Sequence, residues 1–452
     1  MKTCIVGTKK NIVEEQDVLK ELVQTVISKA QKKGAEHVEV GVSFDKGFSA
    51  NVRLGELESV EYDREKNLAL TVYQGKRRGS VGISEFSEKV IDDAIDKALS
   101  IASFVAEDPF AGLPEKSELA FEYPDLDLYH RWDVSLEKVA ELAKACEAEA
   151  MAYDKRITNS EGAHIASHES ANAFGNSLGF VGAYCTSWHE LTCQLIAKKG
   201  DDMERDYDYA CGRYPNIENE ISKVAISTAK RTLQRLGARK LDTQDVPVLF
   251  VPERAAGLIG NFLSSIRGGA IYRKSSFMID KVGEQCFPSF VTLSEKPHIK
   301  GALASAPFDD EGVRTRDKNI VENGVLQTYL LSTYSANQLK LKTTGNAGGV
   351  HNLVMSHQDA SFVDLLKQMD KGLVVTEMMG QGVNLVTGNY SRGASGFWVE
   401  NGEIQYPVHE VTIAGNLKDM FANVVAVGND VDPRLDIQIG SMLIEEMTVA
   451  GK

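Results

Sequence analysis

His164 and His168 are the first residues whose types and spacing could do chemistry. These are two imidazoles four apart, with Glu169 beside them and Cys185, His189 and Cys193 downstream. On a helix that spacing puts both rings on one face, as a zinc peptidase requires. The flanks Glu161-Gly162-Ala163 and Ser170-Ala171-Asn172 favour a strand, where a period of two still keeps the rings on one side. Ile165 stands where a general-base glutamate would follow the first histidine. The pair therefore reads better as exposed strand histidines than as a metal site.

Gly175-Asn176-Ser177-Leu178-Gly179 matches the G-x-S-x-G nucleophile elbow, which needs a strand before it and a helix after it. Phe180 to Tyr184 is strand-like, so Ser177 is expected in a hairpin turn. Asp309-Asp310-Glu311-Gly312 could hold a hard cation, but reads more readily as a solvated turn. No G-x-x-x-x-G-K-[ST] loop occurs, and Gly380-Gln381-Gly382-Val383-Asn384-Leu385 lacks the third glycine of a dinucleotide turn. Arg267 to Lys274, with Gly268, Gly269, Tyr272 and Arg273, is either a basic surface loop or a holder for a peptide carboxylate or acidic side chain. No complete catalytic constellation emerges from these residues alone.

The elements that must position them read as α+β. Val18, Leu19, Leu22, Val23, Val26, Ile27 and Ala30 recur at helical spacing, and Lys32-Lys33-Gly34 closes that helix. Alternation at 38–42 and 68–72 marks strands, with a hairpin loop over Gln74 to Gly79. Ser87 and Ser135 are placed to cap two further helices. Pro109, Pro114 and Pro124 punctuate a stretch without periodicity, a linker or traverse. A strand-rich segment spans about 155–200, with Gly162, Gly175, Gly179 and Gly182 as turn points, and a helix runs from about Ile217 to Leu236. Val246 to Val251 is a buried-strand candidate leading through Pro252 into a helix over Ala255 to Leu263. Asn323-Gly324 and Asn401-Gly402 mark hairpins, and six glycines between Gly380 and Gly402 indicate tight turns or close backbone approach. These features predict an N-terminal α+β domain with antiparallel strands over 1–239 and a β-rich domain over 240–452.

The chain has 452 residues with a net charge of −14, 43% hydrophobic and 25% charged. That is the composition of a globular protein of two or three domains, and its acidity argues against a nucleic-acid surface. Met1 to Lys10 turns polar too soon for a secretory signal, and no stretch reaches the ~20 apolar residues of a membrane span. Six cysteines lie far apart with no C-x-x-C, so reduced thiols and a cytoplasmic location are expected.

Long motifs carry a resemblance. Gly301-Ala302-Leu303-Ala304-Ser305-Ala306-Pro307-Phe308-Asp309, Gly345-Asn346-Ala347-Gly348-Gly349-Val350-His351-Asn352 and Met379 to Val383 resemble the TldD/PmbA family, peptidase family U62. So do Thr387 to Gly402, Ile413 to Met420 and Val427-Gly428-Asn429-Asp430. Within the family the match is similar to the PmbA/TldE branch, and it runs over essentially the whole chain. The resemblance implies an N-terminal α/β domain followed by a C-terminal β-barrel-like domain, in a cytoplasmic metalloprotease complex of a TldD-type and a PmbA-type subunit. Its implied roles are removing the leader from a peptide antibiotic and degrading unfolded proteins such as an antitoxin. It also carries the label of a modulator of DNA gyrase.

The family's metal-bearing subunit has a helix motif H-E-x-x-x-H and a late cysteine. At the corresponding place this chain has Pro252-Glu253-Arg254-Ala255-Ala256-Gly257, and no cysteine follows Cys286. Glu253 matches the general base, while Pro252 and Gly257 replace both histidine ligands, and Arg254 disfavours a cation. The expectation is a non-catalytic subunit with a degenerate site and no cofactor of its own, the zinc being on a TldD-type partner. It would form a heterodimer with that partner and a homodimer when alone. It would complete a chamber for unfolded peptides, holding them by strand addition, with Arg267, Arg273, Gly380, Gly382 and Gly396 as candidate contacts. Two other readings remain: a self-contained metallopeptidase using His164, His168 and Cys185 or His189, and a gyrase-associated regulator.

Overall fold

The computed structural model of the chain describes residues 11–451. Met1 to Lys10, including Cys4 and the stretch read as too polar for a secretory signal, lie outside the described residues. The first part of the chain builds one antiparallel sheet from His37–Arg53 (β1), Glu56–Gln74 (β2), Arg77–Ile83 (β3), Ile157–Asn176 (β4), Val181–Lys199 (β5) and Asp202–Gly212 (β6). Their spatial order is β3-β2-β1-β4-β5-β6. Several strands reach 17 to 20 residues, well beyond the usual 3–10. Four helices cover one face: Glu15–Lys32 (α1), Glu88–Phe104 (α2), Leu136–Ala152 (α3) and Ile217–Gln234 (α4). α1 and α2 pack on the half of the sheet around Val38, Val40, Leu68 and Leu70, and α3 and α4 on the half around Ala50, Ile165 and Leu191. Each fully buried Leu, Val or Ile on these faces contributes about 1.5–3 kcal/mol.

Local chemistry sets the ends. Gly34 and Gly237 take positive φ just after α1 and α4, a conformation glycine adopts without steric cost. Ser135 accepts from the Lys138 N–H at 3.3 Å as an N-cap. Ser87 is also at an N-cap, but its hydroxyl donates to Glu85 and makes no cap bond. The expected hairpin loop over Gln74 to Gly79 is only the turn at 75–76. Of the four glycines expected as turns, only Gly179 turns the chain; Gly162 sits in a bulge inside β4, and Gly175 and Gly182 lie within strands.

The second part contributes Gln244–Phe250 (β7), Leu293–Glu295 (β8), Lys318–Glu322 (β9), Val325–Leu326 (β10), Leu353–Met355 (β11) and Gly372–Met379 (β12). It continues with Asn389–Glu400 (β13), Glu403–Asn416 (β14), Val424–Val427 (β15), Ile437–Gln438 (β16) and Met442–Ala450 (β17). The larger sheet runs β14-β13-β12-β7-β17-β15, and an added β14–β17 pairing closes it into a barrel. A smaller sheet, β10-β9-β8-β11-β16, packs beside it. Asn323-Gly324 and Asn401-Gly402 turn the β9–β10 and β13–β14 hairpins, all four residues at positive φ. This mixed α+β architecture with a barrel-like second part matches the expected fold class. None of the described helices is long and apolar enough to cross a membrane.

The irregular traverse between α2 and α3 is stitched to the second part of the chain. Leu119 bridges Val313, and Leu119, Ala120, Phe180 and Phe308 share a small core.

Candidate functional site

β7 leaves the barrel and turns at Val251 into Pro252–Ser265 (α5). Pro252 occupies the first turn, where its missing N–H costs nothing, and Glu253 follows at the positive end of the helix dipole. The apolar face of α5, including Ala255, Ile259 and Phe262, is buried in the main core and holds this first turn in place. A cavity of about 330 Å³ opens above it, lined in part by Arg231 of α4, Arg235 just past the end of α4, Asp206 of β6, Thr376 of β12, and Asp432 and Arg434. Gly396 of β13 lines a small neighbouring cavity that shares Arg235, Thr376 and Phe397.

Glu253 is mostly buried and gripped by guanidinium groups. Arg254 donates to its Oε2 at 2.9 Å, and Arg231 to its Oε1 at 3.3 Å. Arg434 approaches Oε1 at 3.5 Å. Burial alone would raise this carboxyl, but Arg231 and Arg254 outweigh it and hold it below the ordinary glutamate range. Arg434 also binds Asp208 at 2.8 Å and Asp432 at 2.6 Å, and lies 4.3 Å from the Tyr209 ring centroid. Burial opposes its charge, yet Asp432 and Asp208 push its pKa far up. Arg235 ties Glu204 at 3.2 Å and also Glu377.

A divalent metal does not fit this donor set. The carboxylates here are already neutralised by arginines, and a dication would meet guanidinium repulsion of about 4 kcal/mol per unit-charge pair at 4 Å near a protein surface. Pro252 and Gly257 offer no donor atom, and His409, the nearby imidazole, faces Glu204 at 3.8 Å. Among the described residues no group of three or more His, Cys, Asp or Glu is arranged to hold a metal ion.

The other sequence candidates fall elsewhere. In the β4–β5 register His168 lies opposite Trp188 and His164 opposite Thr192, while His189 faces Ser167 and Cys185 faces Ala171. The exposed pair and the buried pair thus occupy opposite faces of the sheet. His164 and His168 stay partly exposed against Glu190 and Asp63. His189 is fully buried between the Ser167 hydroxyl at 2.9 Å and the His130 carbonyl at 2.8 Å. Cys193 is buried beneath α4. Ser177 lies in the β4–β5 hairpin turn, accepting the Val38 N–H at 3.0 Å.

Asp309 corrects the expectation of a solvated turn. It is 2% exposed, its Oδ1 accepts the N–H groups of Glu311 and Val313, and its Oδ2 accepts that of Ala347. Burial, helped by the neighbouring Glu311, pushes its carboxyl up to about 7. Arg267 and Arg273 are both exposed and flank the short helix Gly268–Tyr272, away from the cleft. Gly380 and Gly382 lie in an exposed turn. At Gly382 a Cβ would strike the Ser391 carbonyl, and at Gly396 the Val374 carbonyl, so the close approach at both positions is between neighbouring backbone segments of this chain.

Two groups of residues escaped sequence reading. Arg231 and Arg434 meet Glu253 from 22 and 181 positions away, a separation no local spacing rule detects. Glu295 is fully buried and accepts from Lys318 at 2.6 Å, from His351 at 2.9 Å and from Asn346 at 2.9 Å. Its only sequence signal was that Asn346 and His351 belong to the quoted Gly345 to Asn352 motif.

Comparison with known proteins places this geometry. Family models described as PmbA/TldA metallopeptidase domain 1, central domain and C-terminal domain match residues 38–102, 129–236 and 243–451. The chain is 48% identical to a Metalloprotease PmbA of Escherichia coli O157:H7, covering 97% of each. It is 46% identical to a Metalloprotease PmbA homolog of Haemophilus influenzae, again over 97% of each. A crystal structure from Bacteroides thetaiotaomicron, described as a modulator of DNA gyrase, superposes with a TM-score of 0.90 at 28% identity, covering 96% of this chain and 99% of that one. The chain belongs to the PmbA/TldD metallopeptidase family.

Proposed function

We propose that this chain is the non-catalytic, PmbA/TldE-like subunit of a cytoplasmic metalloprotease complex, and that a TldD-type partner holds the zinc. One observation carries the reading. At the place where an active member would hold its metal, Glu253 lies between Pro252 and Gly257 and is gripped by Arg254 and Arg231, with Arg434 close by. The guanidinium charges take the role of counter-ion that a metal would otherwise have, so the first turn of α5 keeps its shape without one. The cleft beside it then serves as a wall of the chamber in which unfolded peptides, such as an antibiotic leader or an antitoxin, are held for the partner. Gly396 stands beside that cleft. Arg267 and Arg273 offer cations to peptide carboxylates at a separate turn, and the Gly380–Gly382 turn offers backbone.

The test is cleavage of an unfolded peptide by this chain alone, by a TldD-type chain alone, and by the two mixed. Cleavage is expected only in the mixture. Turnover by this chain alone, in the absence of the partner, overturns the proposal.

A further inference from the structure

The face of the first sheet that turns away from α1 to α4 holds a hollow of about 240 Å³. Strand alternation makes its floor. Val42, Leu68, Ala171 and Cys185 belong to the core beneath α1 and α2, so the residues next to them face the other way. In register, Asn67, Ser43, Asn172 and Tyr184 form one row across β2, β1, β4 and β5. The next row is Ala69, Gly41, Phe174 and Gly182. Ala69 and Gly41 are small, and the hollow opens over them. At Gly182 a Cβ would strike the Phe308 ring, and at Gly348 it would strike the Asp310 carboxylate. Those two glycines let the segment Phe308 to Asp310 settle against the sheet. Phe174, Phe308 and Tyr184 then wall the hollow, and Asp310, exposed to solvent, completes its lining.

The polar groups of this hollow are unengaged. Among the described residues the Asp310 carboxylate has no ion-pair or hydrogen-bond partner, nor do the Ser43 hydroxyl, the Asn67 amide and the Tyr184 hydroxyl. Burial and then the Asp310 charge push the Tyr184 phenol up, so its oxygen stays uncharged with Asp310 near enough to act on it. We propose that the hollow binds an organic ammonium group, the side-chain end of a lysine in an unfolded peptide. An ammonium has three donors and no acceptor. Asp310 supplies the opposite charge, and Tyr184, Ser43 and Asn67 supply neutral oxygens for the remaining donors. The Phe174 and Phe308 rings cover the lysine methylenes, and an aromatic wall also favours a cation. A hard metal ion suits the place less, since it wants several carboxylates or carbonyls. Asp310 is the one free carboxylate in the lining, because Asp309 gives its oxygens to three backbone N–H groups. The volume admits one side chain rather than a drug-sized ligand. The net charge of −14 draws cationic segments towards the chain. Assigning the ammonium to a peptide rests on the peptide-handling role proposed above, while the hollow itself does not depend on the Glu253 cleft.

Fluorescence anisotropy on the purified full chain tests it, with a dye-labelled unfolded peptide of Gly, Ser and Leu that carries spaced lysines. Acetylating those lysines keeps their shape and removes their charge. The parent should bind the acetylated peptide weaker by roughly tenfold or more, as for a hydrogen bond to a charged group. Asp310→Asn should erase that difference, while Glu218→Gln, which removes the same charge on α4, should leave it intact. Asn67→Trp, at an exposed position, should fill the hollow and weaken the lysine peptide while Asp310 stays in place. An unchanged melting temperature shows that each variant is folded. Spermidine, a free polyamine, should compete poorly. Equal binding of both peptides by the parent overturns the proposal, as does a difference that survives Asp310→Asn. Loss of the difference in Glu218→Gln overturns it too, because general attraction would then suffice. Spermidine binding tighter than the peptide overturns the assignment to a peptide. Binding is read on this chain alone, so a mixture of subunits that fails to cleave leaves the result standing, and the reverse.

Discussion

Glu253, Asp309 and Glu295 are three mostly or fully buried carboxylates with three different solutions to the same problem. Removing a carboxylate from water is costly unless opposite charge or hydrogen bonds replace the lost hydration. Glu253 has arginines, and Glu295 has Lys318, His351 and Asn346; both are held below the ordinary glutamate range against the effect of burial. Asp309 has only three backbone N–H groups, and burial wins, raising it to about 7. The sign of its pH dependence follows. Between the ordinary range of the unfolded chain and about pH 7 the folded state binds the extra proton, so Asp309's contribution to stability declines as pH rises through that window. A rise from 3.8 to about 7 corresponds to about 4 kcal/mol at most. Asp309→Asn removes the titration but loses one backbone bond. Its melting temperature should therefore fall furthest below the parent's near pH 5, with the gap narrowing or reversing by pH 8. A gap that stays constant from pH 5 to 8 contradicts the buried, proton-holding carboxyl. At this scale the sequence was readable where absence was enough: Pro252 and Gly257 cannot ligate a metal, whatever surrounds them. Burial of Asp309 was not readable, because an acid-acid-acid-Gly run looks the same whether it turns in solvent or beneath a glycine-rich loop.

The junction of β7 with α5 is the element on which the functional reading depends. Val246 to Val251, Pro252 and the apolar spacing of Ala255 to Leu263 predict it from sequence, and β7 and α5 appear there. Helices with a clear 3.6 period, such as α1 and α4, were legible for the same reason. The outer half of β2 was not, since Glu56 to Asn67 has no apolar alternation and is a strand through its pairing with β1. Tertiary pairing overrides weak local preference there. The junction also makes a prediction about engineering. A Cβ at Gly257 meets nothing within 4 Å, so Pro252→His combined with Gly257→His can rebuild the histidine pair without a clash at that position. The double variant should still fail to take up stoichiometric zinc, because a third ligand is missing and Arg231, Arg254 and Arg434 surround Glu253. One zinc per chain in metal analysis of that folded variant would mean that the arginines do not exclude the ion.

In the whole molecule, the cleft is assembled from the middle of the chain and from its C-terminal part. α4 and the residue after it supply Arg231 and Arg235, β6 supplies Asp206, and the segment after β15 supplies Asp432 and Arg434. The ion pairs that span these parts, Arg434 with Asp208 at 2.8 Å and Arg231 with Glu253 at 3.3 Å, tie the helix-backed sheet to the barrel beside the first turn of α5. The α+β class and the β-rich second part were legible from strand patterning and Asn-Gly turns, while its barrel-like form was implied by the family resemblance. The closing β14–β17 pairing and the meeting of α4 with α5 were not, since both depend on tertiary contacts between elements separated by intervening segments rather than on local periodicity. The central claim is that this chain holds no catalytic metal and works through a partner. Its most direct test is the zinc content of the purified, folded chain after equilibration with zinc and removal of the excess. Zinc well below one per chain, with stoichiometric zinc appearing only when a TldD-type subunit is bound, is the expected result. One tightly held zinc on this chain alone, lost on His164→Ala and His168→Ala or on Glu253→Gln, would contradict it.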